Sequence, residues 1–443
     1  MNQVVIFVPR APEGNDSAVG NRCLIAIPAL LVILATLILL GAPHTAKAQT
    51  YDVLYAFCSQ ANCADGGYPN ANLLLDAGGN LYGTTVEGGV EGDCKTAGCG
   101  SVFKISQIGT ETVLYPFDVF ANGLNPMGGL IRDQAGNLYG TTSEGGNFLG
   151  HSLCHDHGCG TIFELSPAGA ETVLFAFFDI DLHHQANYNG IHPFGDLAMD
   201  AKGNLYGTGS TIGPKYAGSV FELTPTGDES VLHWFHSYTH DGKYVNAGLV
   251  LDSAGNLYGT TQAGGVHQGG TVFEIDAAGA ESVLYSFGKA KKYAANGYDL
   301  GASVMRDAQG NFYGTTLLGG KYNHGVVYKL SSTGVETVLH DFAGQPDGAA
   351  ALGTPIMDAQ GNLYGTTANG GVYDKGAVYK LTPAGEVTIL YSFTGGADGS
   401  GPQGPLTMGG DGSLYGTTQG GGNTGSACPF GSAGCGVAFK VTQ

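Results

Sequence analysis

Histidine concentrates in three segments of this chain, and histidine beside carboxylates is the residue set that binds a transition metal or moves a proton near neutral pH. Residues 150–158 read Gly-His-Ser-Leu-Cys-His-Asp-His-Gly, residues 178–192 carry Asp181, His183, His184 and His192, and the stretch after residue 235 carries His236, His240 and Asp241. The candidates for ligand binding are His151, His155, His157, Asp181, His183, His184, His236, His240 and Asp241. A divalent metal is the cofactor such a set could hold, with His155, His157, His183 and His184 as its ligands. No His-x-x-x-His helix or other tight ligand spacing is present, so a solvated polar loop set is the alternative. Glu87 and Glu144 form a second set, because they occupy equivalent positions where other copies of the same segment carry no carboxylate. Two carboxylates at the right separation perform glycosidic bond chemistry, which makes them weak catalytic candidates. Bonding within their own loops is the alternative.

Cysteine supplies the third reactive set. Apart from Cys23, the cysteines fall into four local couples: Cys58 and Cys63, Cys94 and Cys99, Cys154 and Cys159, Cys428 and Cys435. Closely spaced couples in an exported chain read as disulfides. Zinc would need two couples to converge as four ligands, and these couples sit in different repeats, so disulfides are expected.

These residues must be positioned by a repeat. The phrase Gly-Asn-Leu-Tyr-Gly-Thr-Thr begins at Gly79, Gly136, Gly203, Gly255, Gly310, Gly361 and Gly412, with small departures, at intervals of 51 to 67 residues. A period of that length marks one supersecondary unit copied many times. Each unit carries four short apolar runs, here a, b, c and d, which in the sixth copy span residues 353–358, 362–367, 376–381 and 386–393. They are strand-length, rich in Val, Tyr, Phe and Thr, and show no helical period. An Asp three residues before the Gly, as at Asp76 and Asp358, suits a tight a–b hairpin. The recurring b-strand Tyr reads as a core or inter-repeat contact.

Four strands per unit, seven times, predict an all-β, seven-bladed β-propeller of four-stranded antiparallel blades. Residues 51–57 match run d with no a, b or c before them, and residues 436–441 match run c with no d after them. The N-terminal strand is therefore expected to pair with the last blade and close the ring. In this strand order the b–c loops and d–a crossovers share one face, which carries the histidines, Glu87, Glu144 and the cysteines. Function is expected there, since loops on a scaffold carry sites.

Residues 1–48 read differently. Arg10 and Arg22 precede an apolar stretch from Leu24 to Ala42, and Ala46-Lys47-Ala48 follows as a cleavage pattern, so a secretory signal cut before Gln49 is expected, with an uncleaved anchor as the alternative. Residues 49–443 then form the propeller, with no membrane span in the mature protein. Of the 443 residues, 18 are Lys or Arg and 37 are Asp or Glu, a formal charge of −19. That balance excludes nucleic acid as a partner, because phosphate binding needs Lys and Arg to displace counterions.

The signature D-x-x-G-N-L-Y-G-T-T, followed by G-G, G-x-V-F-x-L and E-x-V-L-Y-x-F, resembles the GloVer-type tandem repeats of bacterial choice-of-anchor surface proteins over about residues 51–443. The resemblance implies an exported envelope or extracellular protein of repeat architecture and brings no catalytic residues. A looser similarity, limited to D-x-x-G-N-L, links the chain to other bacterial propellers, including virginiamycin B lyase. The expected function is a secreted or periplasmic binding module, monomeric, recognising a polysaccharide or an extracellular protein through a disulfide-braced loop face. A glycan lyase or hydrolase using the His-rich sector and a structural envelope protein are the alternatives. No nucleophile elbow, P-loop, dinucleotide fingerprint or zinc-protease motif appears.

Overall fold

The computed structural model describes residues 49–443 except 90–97, 147–157, 178–191, 211–215, 237–239, 290–293, 425–427 and 429–432. The expected signal segment, residues 1–48, lies outside the described residues.

Seven four-stranded antiparallel sheets follow one another along the chain. Blade 1 is Leu74–Leu75 (a), Leu81–Thr85 (b), Ser101–Ile105 (c) and Glu111–Pro116 (d). Blades 2 to 6 repeat that order, their b strands being Leu138–Thr142, Leu205–Gly209, Leu257–Thr261, Phe312–Thr315 and Leu363–Thr367. In blade 7, Thr407–Met408, Leu414–Thr418 and Val437–Thr442 are completed by Thr50–Ala56, which pairs antiparallel with Val437–Thr442 from Thr50↔Thr442 to Ala56↔Val437. The ends of the chain thus supply one blade between them.

The repeat signature is explained residue by residue. Asp76 accepts hydrogen bonds from the Asn80 N–H, the Asn80 side-chain amide and the Tyr82 hydroxyl. Gly79, at φ +74, closes the turn. Burial alone would raise the Asp76 carboxyl, but those donors outweigh it and hold the carboxyl below its usual range. The same Asp–Asn–Tyr set recurs at Asp133, Asp200, Asp252, Asp307 and Asp358. Gly83 stands opposite Phe103, and a Cβ there would lie 2.6 Å from its ring. The signature glycine therefore seats the strand-c aromatic of its own blade.

Blades are joined by two repeated contacts. The Phe that closes run d, at or just past the end of strand d, meets the strand-c aromatic of the following blade edge-on or tilted at 4.8–5.3 Å: Phe57 on Phe103, Phe117 on Phe163, Phe177 on Phe221, and so on to Phe393 on Phe439. Such pairs contribute about 0.5–1.5 kcal/mol each beyond their buried area. The first Thr of the signature donates to a carbonyl of the next blade, as in Thr84 to Gly128 O, Thr208 to Ala247 O and Thr260 to Ala302 O. Thr417 to Ala71 O carries the pattern from blade 7 to blade 1.

In blades 5 and 6 the strand-c aromatic is Tyr328 or Tyr379, fully buried with a hydroxyl that has no partner. An unmade buried hydrogen bond costs about 1–3 kcal/mol. Tyr328→Phe and Tyr379→Phe should each raise the urea midpoint by the equivalent of about 1 kcal/mol with an unchanged slope. A lowered midpoint would show that the hydroxyl is bonded in the folded chain.

Candidate functional site

Run a is longer than its ladder. Only two of its residues pair with strand b in each blade, and the residues before them leave the sheet. In every blade the launch is the same: a residue at positive φ (Tyr68, Asn125, His192, Tyr244, Asp299, Ala350, Gly401) donates its N–H to a carbonyl at the start of strand c in the preceding blade. Four of these residues precede proline, and the Cδ of Pro69, Pro126, Pro193 and Pro402 packs on the glycine that opens that strand c. From the second residue after each launch, all seven blades contribute between one and three residues to the lining of one cavity of about 170 Å³.

The ring has three tiers. The first is Asn70, Met127, Phe194, Asn246, Gly301, Leu352 and Gln403, so three amides share the ring with three apolar side chains and a glycine. The second is always Gly or Ala, because neighbouring backbones touch: a Cβ on Gly195 would lie 2.5 Å from the Ala247 carbonyl carbon, and one on Gly404 would lie 2.9 Å from that of Ala71. The third is Asp196, Gly248, Ser303, Thr354 and Pro405, while Asn72 and Gly129 hold the equivalent positions of blades 1 and 2 outside the lining. Ser303 and Thr354 donate to Gly248 O and Ser303 O, which ties three successive blades together. Asp196 accepts from the Gly129 N–H. Burial pushes its carboxyl up, and that N–H opposes the shift.

The cavity lies where the crossovers end, on the face they share with the b–c loops. Gly67 and Glu87 exchange backbone hydrogen bonds, as do Leu124 and Glu144, Lys243 and Ala263, and Ser400 and Gly420. That bridge works with any side chain, so it accounts for the backbones of Glu87 and Glu144 and not for their carboxylates. Burial raises the Glu87 carboxyl, and its Oε2 is buried without a partner. Neither glutamate lines the cavity.

His151, His155, His157, Asp181, His183 and His184 lie outside the described residues. Asp241 is engaged structurally: its carboxylate pairs with His233 at 3.4 Å and accepts the His236 N–H. The pairing is one of a series in which the penultimate aromatic position of strand d latches the crossover that follows. Tyr55 holds Asp65, Asn122 holds Tyr115, Asn296 holds Tyr285, His340 holds Asp347 and Tyr391 holds Asp398. His236 ends strand d of blade 3 and His240 is exposed.

Cys58 and Cys63 form one disulfide and Cys428 and Cys435 another, and Cys99 and Cys159 each belong to a separate disulfide whose other cysteine lies outside the described residues. The expectation that couples stay apart is corrected at one place. Cys58, Cys63 and Cys435 bring their sulfurs within 4.8 Å of one another, in a core shared with Phe57 and Phe103 where blade 7 meets blade 1. Among the described residues this is the one cluster of metal-ligating type, and its sulfurs are occupied by the two disulfide bonds. Cys94 and Cys154 lie outside the described residues.

The sequence signal for the cavity was present but faint: x-(Gly/Ala)-x before each run a. It merges with the start of run a, whose first residues are the same small ones.

The Gloeobacter/Verrucomicrobia repeat matches residues 43–186, 178–302 and 293–442. No curated protein sequence matches the chain. Among solved structures, a streptogramin B lyase is similar at TM-score 0.53 and 14% identity, over 89% of this chain and 97% of that one. A puromycin hydrolase is similar at TM-score 0.50 and 11% identity, over 82% of this chain and 53% of that one. At such identities the likeness is one of fold alone. Among the described residues no helix is long and apolar enough to cross a membrane.

Proposed function

The chain belongs to the Gloeobacter/Verrucomicrobia repeat family, and from that premise we propose that it is an exported binding module that takes a small polar group, such as the end of a polysaccharide, into the mouth of its central cavity. The observation that carries this reading is the convergence of equivalent residues from all seven blades on one cavity whose walls mix amide and apolar side chains. Pockets that orient a ligand combine apolar surface with a few placed polar groups. Phe194, Met127 and Leu352 supply the first, and Asn70, Asn246 and Gln403 the second. The N-terminal signal pattern and the disulfides support an oxidising destination outside the cytoplasm. Binding is favoured over catalysis because Asp196 is the single titratable side chain among the lining residues, and acid–base chemistry on a glycosidic bond uses two. Glu87, Glu144 and the histidine loops at the same face would then meet the more distant parts of a larger ligand.

A glycan array probed with residues 49–443 tests the proposal, with Phe194→Ala beside the wild type. Binding that falls at least tenfold in the variant, with an unchanged β circular dichroism spectrum, is expected. Equal binding by the two proteins, or release of a cleaved product, would contradict it.

A further inference from the structure

The groups offered to a ligand are unbalanced. Asn70 Oδ1, Asn72 Oδ1 and Asn246 Oδ1 are buried acceptors without a hydrogen-bond partner. Asn246 commits its amide nitrogen to Gln262 Oε1 at 3.4 Å, which leaves its oxygen as the free group. No Lys, Arg or His is among the lining residues. The imbalance is sharpest at Gly129. A Cβ built there would overlap Asn72 Oδ1 and lie 3.0 Å from Asp196 Oδ1, so two acceptor oxygens from two other blades crowd this residue while its one backbone N–H serves Asp196 alone. An uncompensated set of buried oxygens is costly unless a donor-rich group completes it.

Building on the binding reading above, we infer that the cavity selects a ligand carrying a primary ammonium, an amino sugar in size and class, and seats that ammonium against Asp196, with the amide oxygens of Asn70 and Asn246 in the same lining. An ammonium brings three N–H donors and one positive charge, and the cavity presents one carboxylate and several amide oxygens. A divalent cation fits less well, because it gathers six to eight oxygens with more than one carboxylate among them, and Asp196 is the sole carboxylate lining the cavity. The size agrees: about 170 Å³ holds one hexose-sized group. The charge of −19 draws cations toward the mouth and repels uronates and phosphates.

The test is a calorimetric titration of residues 49–443 with glucosamine, glucose and N-acetylglucosamine at pH 6 and low salt. A charge-assisted hydrogen bond predicts glucosamine bound about tenfold to a hundredfold more tightly than glucose. Asp196→Asn should abolish that preference. Asn70→Asp, which adds a carboxylate at the mouth, should increase it, and this variant guards against a misfolded Asp196→Asn. Equal affinity for glucosamine and glucose overturns the inference and leaves the binding reading standing. So does a preference that survives Asp196→Asn. An Asn72 amide turned to donate to Asp196 would give that result, because the patch would then be satisfied internally. If no sugar binds and the methyl signals of Met127 and Ala247 do not move, the binding reading fails as well.

Discussion

Deleting residues 49–57 should unfold blade 7 and cost the propeller most of its stability, the largest effect of any change considered. The strand Thr50–Ala56 is the outer strand of a sheet whose other three come from the end of the chain. Its aromatic residues are bound on both sides. Tyr51 stacks flat on Tyr391 with ring centroids 3.7 Å apart, and Phe57, fully buried, meets Phe103 at 5.0 Å. Phe57→Ala alone should cost about 3–5 kcal/mol, as a large side chain removed from a packed core does. The deletion also bares a strand edge that invites pairing with other chains, so aggregation should accompany it. Urea unfolding of the two variants measures both effects. A deletion variant within about 1 kcal/mol of the full chain would show that the remaining blades close without the clasp.

The second large effect concerns pH. The Glu that opens strand d in five blades is wedged beside the preceding blade, and Glu111, Glu171, Glu229, Glu281 and Glu336 each bury Oε1 without a partner. Burial pushes the carboxyls of Glu111, Glu229 and Glu336 up to about 7, and those of Glu171 and Glu281 upward as well. A carboxyl raised on folding binds its proton more tightly in the native state. Its contribution is therefore complete below the unfolded value near 4.5 and is lost as pH rises toward 7. The turn aspartates act in the opposite sense. Asp76, Asp133, Asp252, Asp307 and Asp358 are depressed, so their contribution is lost only as pH falls below about 4. Stability should peak between about pH 4 and 5 and decline to pH 8. The glutamates are half-buried, and after solvent screening each is expected to contribute about 1 kcal/mol to that decline. Denaturation midpoints at pH 4.5, 6 and 8 should show it, and a Glu111→Gln, Glu229→Gln, Glu336→Gln triple variant should flatten it. Stability that rises from pH 5 to 8 in the wild type would refute the assignment.

The blades were legible because each depends on local chemistry. The Asp–x–x–Gly–Asn turn, the alternating apolar runs and the d-like opening of the chain all announce themselves within ten residues. The cavity was not, because what repeats there is a small residue needed where backbones of adjacent blades touch. The side chains around it, from Asn70 to Gln403, follow no repeat, with only Asn70 and Asn246 alike. The meeting of Cys58, Cys63 and Cys435 follows from ring closure, which brings residues near the two ends of the chain into one core. The Glu of E-x-V-L-Y-x-F was visible as a motif, but its burial arises from the neighbouring blade.

Entry of ligand into the seven-blade cavity can be followed by methyl NMR of residues 49–443 titrated with glucosamine. The account predicts saturable shifts at the methyls of Ala71, Met127, Ala247, Ala302 and Leu352, which line the cavity, while Ala277 and Ala384 in the exposed c–d turns stay still. Shifts confined to the outer loops around His240, with the cavity methyls unmoved, would contradict it and return the site to the histidine segments.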